Sequence, residues 1–99
     1  MADAPELIKT GDGAYALEGE ATLYTIGSLN ALPEPHDKHV HIDLGRLTKA
    51  DSGALALLLR WYRWAARRNI RLTLGAVPED LLALMRLYDL NQVFEEAIC

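Results

Sequence analysis

Three groups of side chains in this 99-residue sequence have the type and spacing to do chemistry or recognition. The first is Asp51-Ser52-Gly53, a carboxylate beside a hydroxyl just ahead of the apolar run Ala54 to Leu59. A helix that starts there leaves its first backbone N–H groups without intrahelical partners, and an Asp or Ser oxygen satisfies them. The ordinary role of Ser52 is therefore N-cap, alone or shared with Asp51. The sharper role is phosphoacceptor, because a phosphate at a helix N-terminus meets open N–H groups, although Asp51 would repel it. Asp51 and Ser52 do not make a catalytic pair, since the sequence places no base such as a histidine next to them.

The second group is His39 and His41, which share one face of a strand, with His36 and Asp37 close in sequence. These are metal-ligating types, but no fourth ligand follows at a convincing spacing. Alternating polar residues on a solvated strand face are ordinary, so no metal is expected. The third group lies on the helix after Ser52. Leu55, Leu58, Leu59, Tyr62 and Ala66 recur at helical spacing and make a normal core face. Ala54, Leu57, Trp61 and Trp64 make a second stripe, flanked by Arg60 and Arg68. A helix lying on one sheet needs only one such face, and Trp and Arg dominate protein–protein hot spots. This predicts a partner-binding stripe of Ala54, Leu57, Arg60, Trp61 and Trp64, with both tryptophans more exposed than Leu58 and Leu59. The competing reading is that loops or the last helix cover the stripe. Arg60, Arg63, Arg67 and Arg68 suit a solvated face and the negative end of the helix dipole.

The elements that position these groups follow from periodicity and punctuation. Glu6 to Thr10 and Tyr15 to Glu20 read as strands joined by the turn Gly11-Asp12-Gly13. Thr22 can cap a short helix to about Leu32, closed by Pro33 and Pro35. In His39 to Leu44, Val40, Ile42 and Leu44 alternate with His39, His41 and Asp43, the pattern of a strand with one face on a core. Gly45 to Asp51 reads as a loop, and a long helix runs from about Ser52 to Arg68, stopped by Asn69 in a left-handed turn. Ile70 to Leu74 is a further strand. Pro78 opens a helix reaching Tyr88, with Leu81, Leu82, Leu84, Met85 and Tyr88 as its apolar side. Asn91 to Ile98 adds a short terminal helix. The order β-β-α-β-α-β-α implies an α/β fold, a mostly parallel mixed sheet with an N-terminal β-hairpin and βα repeats. In such sheets, sites gather at the carboxyl ends of the strands, here Gly45 to Gly53.

The bulk properties narrow the class. The chain is the length of one domain, 1–99, and its 51% hydrophobic and 24% charged residues are those of an ordinary globular protein. A net charge of −4 argues against general nucleic-acid binding. The single cysteine, Cys99, cannot form an internal disulfide, so no oxidising compartment is implied. Met1 to Glu6 has no apolar core and is not expected to be a signal peptide. No apolar run is long enough to span a bilayer. There is no Gly-rich phosphate loop and no nucleophile–base pair, so neither a cofactor nor an enzymatic activity is expected.

Ile42 to Leu55, with its Asp51-Ser52-x-x-Leu55 opening a helix after a strand and loop, resembles the signature of the STAS domain family. Leu17-Glu18-Gly19-Glu20 is similar to that family's Leu-x-Gly-Glu strand end, and Leu87-Tyr88-Asp89-Leu90 to its Leu-Tyr-x-Leu stretch. After Gly19-Glu20 the family usually has an apolar residue and Asp, where this chain has Ala21 and Thr22, which keeps a capping oxygen but not the charge. The resemblance implies a protein-binding module with Thr48, Asp51, Ser52 and Gly53 at its contact site. Two groups within the family compete. The run Leu55 to Leu59 and the compact length resemble the small STAS subunit of the ABC transporter that maintains outer-membrane lipid asymmetry. That implies, as partner, the cytoplasmic ATPase subunit and, through it, the membrane permease. The protein would sit in the cytoplasm at the inner face of the inner membrane. The alternative is an anti-sigma factor antagonist, whose partner is an anti-sigma kinase that phosphorylates Ser52.

Overall fold

The computed structural model describes residues 5–21, 38–90 and Phe94. Strand β1 (Glu6–Gly11) turns back antiparallel into β2 (Ala14–Ala21). Strands β3 (His39–Asp43) and β4 (Leu47–Ala50) precede helix α1 (Ser52–Arg67), followed by β5 (Arg71–Gly75) and helix α2 (Glu79–Leu87). The sheet runs β1-β2-β3-β5, and every pairing after the hairpin is parallel. Strand β4 lies off this path and pairs with β2. The expected helix at Thr22 to Leu32 falls outside the described residues, as does the expected terminal helix except Phe94, which is helical and fully buried.

The period-two pattern acts as expected. Register pairs Val40 with Leu72 and Ile42 with both Leu74 and Tyr15, and these apolar residues share the core face. His39, His41 and Thr73 point to the other face. Both rings meet the Thr73 hydroxyl, His39 Nε2 at 2.9 Å and His41 Nδ1 at 2.8 Å. A hydroxyl can donate to one ring nitrogen and accept from another, so this buried threonine has its polar group satisfied by the histidines. Among the described residues no three His, Cys, Asp or Glu side chains group as metal ligands would; His36 and Asp37 lie outside them.

The segment Gly45 to Asp51, expected as a loop, contains strand β4. Its four residues are too few and too polar to display alternation, and what makes them a strand is a bend in β2. Gly19 sits at φ 98°, a conformation open to glycine, where the ladder register shifts. Before Gly19, β2 pairs with β3; after it, Glu20 and Ala21 pair with Lys49 and Ala50. The ladder runs on into the helix start, since the Asp51 N–H donates to the Ala21 carbonyl at 3.3 Å.

Helix α1 corrects the two-stripe expectation. Ala54, Leu57, Leu58, Trp61 and Ala65 form the buried row, and Trp61 is only 1% exposed, no more than Leu58. Leu59 and Tyr62 are half-buried at its margin and Ala66 is exposed. The apolar sector of α1 spans both stripes, and the core takes its middle. Trp61 is among the largest fully buried side chains of the described residues. Trp64 is half-buried at the opposite margin, with the Arg68 guanidinium 5.2 Å from its ring centroid. Phe94 closes the other side, edge-on to Tyr62 at 5.9 Å. Asn69 takes the left-handed conformation expected of it, with φ 55°.

Candidate functional site

At the start of α1 the cap is Asp51, whose Oδ1 accepts the Gly53 N–H at 2.7 Å. Ser52, expected to cap or to share the cap, is instead the first helical residue. Asp51 has the extended backbone an N-cap requires, φ −133° and ψ −161°. Its anchoring to Ala21 fixes the boundary one residue earlier than the hydroxyl alone suggested. Ser52 is half-buried, and with Asp51 as the cap its hydroxyl stands at the helix N-terminus relieved of capping duty. Gly53 is buried beneath it.

Ser52 borders an open groove of about 480 Å³ between this helix start and α2. Ala50, Asp51 and Ser52 form one wall, and Asp80, Ala83, Leu84, Leu87 and Tyr88 the other. A smaller cleft beside it takes in Thr48, Lys49, Pro78 and again Asp80. The structure thus brings Thr48, Asp51 and Ser52 to one surface. It does not bring the helix stripe there. Ala54, Leu57 and Trp61 belong to the core. Arg60 is exposed and Trp64 half-buried, but they lie eight and twelve residues beyond Ser52, about 12 and 18 Å along the helix axis.

The residues that sequence reasoning missed are on α2. Leu81 and Met85 face the core, whereas Leu87 and Tyr88 are 75% and 54% exposed. Tyr88, expected on the core side, is corrected here. The helix ends at Leu87, the chain turns through Asp89 at φ 58°, and Tyr88 leaves the face of Leu81 and Met85. The available signal was the recurrence of residues 80, 83, 84, 87 and 88, a second row beside Leu81 and Met85. Among the described residues no histidine or cysteine lines the groove.

This arrangement, a strand hairpin feeding parallel strands with a helix that opens on Asp-Ser at a strand-end groove, defines a STAS-type domain. Solved structures share it. A sulfate transporter family protein from Wolinella succinogenes superposes with a TM-score of 0.67 at 18% identity, covering 94% of this chain and 80% of that one. The anti-sigma factor antagonist SpoIIAA in its unphosphorylated form gives a TM-score of 0.56 at 14% identity, covering 85% and 83%. The family model described as "Mlab, STAS domain" matches residues 9–96, and the chain belongs to that family. It is 33% identical over 91 residues to the intermembrane phospholipid transport system binding protein MlaB of Escherichia coli (strain K12), covering 91% of this chain and 93% of MlaB. The Shigella flexneri MlaB gives the same values.

Proposed function

We propose that this chain, as one STAS domain over residues 1–99, is the non-catalytic subunit of a phospholipid-transporting ABC transporter and docks on its cytoplasmic ATPase subunit. The observation that carries the reading is Ser52, half-buried on the rim of an open, partly apolar groove and not consumed by the helix cap. The names of the MlaB relatives support the transport system as its setting. Among the described residues no helix is long and apolar enough to cross a membrane. We place the protein in the cytoplasm, held at the inner face of the inner membrane by its partner. Docking supports hydrolysis through higher affinity for the assembled ATPase than for its separated state, with no chemistry of its own.

The test is ATP hydrolysis by the reconstituted transporter with and without this chain. Hydrolysis falls when the chain is omitted. Ser52→Asp keeps the fold, because a carboxylate is favoured in a first helical turn, and weakens ATPase binding by calorimetry. Undiminished hydrolysis without the chain would sink the reading. A second reading draws on the same released hydroxyl, which is free to accept a phosphate at a helix N-terminus. If the chain binds no ATPase but binds a kinase that phosphorylates Ser52, the anti-sigma antagonist function replaces the first.

A further inference from the structure

We propose that the groove beside Ser52 seats an amphipathic helix of the partner protein, laid along α2 with a Lys or Arg directed at Asp51 and Asp80. The inference takes its location from the docking reading above and adds the chemistry of the occupant. Asp80, Ala83, Leu84, Leu87 and Tyr88 recur at i, i+3, i+4, i+7 and i+8, the row that receives the ridges of a second helix. The row is about 12 Å long, enough for two turns of a partner helix. Leu87 and Tyr88 are the exposed large hydrophobic residues of the described chain, and both lie in this row.

Charge sets which helix fits. Among the described residues the groove is lined by two carboxylates and by no Lys or Arg. Asp51 spends one oxygen on the Gly53 N–H and keeps the other. Asp80 makes no ion pair among the described residues. Lys49 lines the smaller neighbouring cleft, which shares Asp80 with the groove. Residues 1–4, 22–37, 91–93 and 95–99 contain no Lys or Arg, and all ten such residues of the sequence lie within the described part, outside this groove. An anionic occupant, such as a lipid headgroup surface, would meet the two carboxylates directly. A helix with apolar anchors and a cation at one end satisfies both halves of the groove.

The test uses the full chain and two stapled helical peptides of about 16 residues, a length at which an unstapled helix is marginal. One carries Leu at i, i+3, i+4 and i+7 with paired Arg at one end; its twin carries Glu in place of Arg. Amide NMR shifts on titration should move at Ala83, Leu84, Leu87 and Tyr88 with the basic peptide. The acidic twin should bind at least about tenfold more weakly, a change of about 1.4 kcal/mol. Asp80→Arg should reverse the preference, and Leu87→Asp, exposed and so tolerated by the fold, should abolish binding. No perturbation at these residues, equal binding of both peptides, or capture of phosphatidylcholine–phosphatidylglycerol vesicles through Leu87 overturns the proposal. The ATPase subunit separates the two claims. If it binds wild type and Asp80→Arg equally, the groove chemistry is wrong and the docking reading stands. If the basic peptide seats in the groove while the ATPase does not bind, the groove chemistry stands and the docking reading falls.

Discussion

Replacing Asp51 by alanine removes the carboxylate that accepts the Gly53 N–H at 2.7 Å. Loss of such a cap costs roughly 0.5–2 kcal/mol, and typically about 1. Asp51 lies toward the upper part of that range, because its own N–H is tied to Ala21 and the residue cannot swing aside to let another group cap. About 1–2 kcal/mol in a domain of this size lowers Tm by roughly 4–16 °C. Asp51→Asn keeps a capping oxygen and should stay within about 0.5 kcal/mol of wild type, separating the hydrogen bond from the charge. Ser52→Ala should be neutral within about 0.5 kcal/mol, since the serine hydroxyl is not the cap. Urea unfolding followed by circular dichroism, with thermal melts in parallel, measures all three. If Ser52→Ala costs more than Asp51→Ala, the assignment of the cap is wrong, and so is the argument that Ser52 is released for recognition.

Trp61→Ala should cost about 3–5 kcal/mol, enough to unfold a marginal domain near physiological temperature, whereas Trp64→Ala should cost less than half as much; equal costs by chemical denaturation would contradict the burial difference. Gly19→Ala should destabilise by about 1–2 kcal/mol, because an alanine at φ 98° is strained; an unchanged urea midpoint would count against the kink in β2. At Gly75 an added Cβ would stand 2.8 Å from His41 Nε2. Gly75→Ala should therefore displace the His41 ring from Thr73, read as a change in the His41 ring signals by NMR, with a stability loss of about 1–3 kcal/mol.

Strand β3 was legible because Val40, Ile42 and Leu44 alternate without a break, and the Asn69 stop because few residues tolerate a left-handed backbone so readily. The mostly parallel sheet behind an N-terminal hairpin followed from the alternation of strands and helices. Strand β4 was hidden because the residue that creates it, Gly19, lies nearly thirty positions away and gives no local pattern near Leu47. On α1 the apolar sector is wider than one face. Periodicity named the right residues but could not centre them, and packing space decided in favour of Trp61. Asp51 and Ser52 were both legible as caps, and the choice between them depended on the backbone bond to Ala21. Leu87 and Tyr88 escaped because α2 ends at Leu87 and a one-residue error in a helix end rotates the last side chain off its row.

Strand β2 carries β1 along one edge and shares the other between two strands, β3 up to Ala16 and β4 from Gly19 onward. The first ladder lies inside the sheet, and among the described strands the second pairs with β2 alone. Strand β4 is shorter than β3 and its residues are more exposed than Val40 and Leu72, so the second ladder opens at a lower free energy than the first. The amides of Lys49 and Asp51 should then exchange with solvent well before those of Val40 and Leu72. The start of α1, and Ser52 with it, rides on that opening unit. A helix seated in the groove would hold the unit shut, so occupancy would be written into the exchange rates of a strand that the partner need not touch.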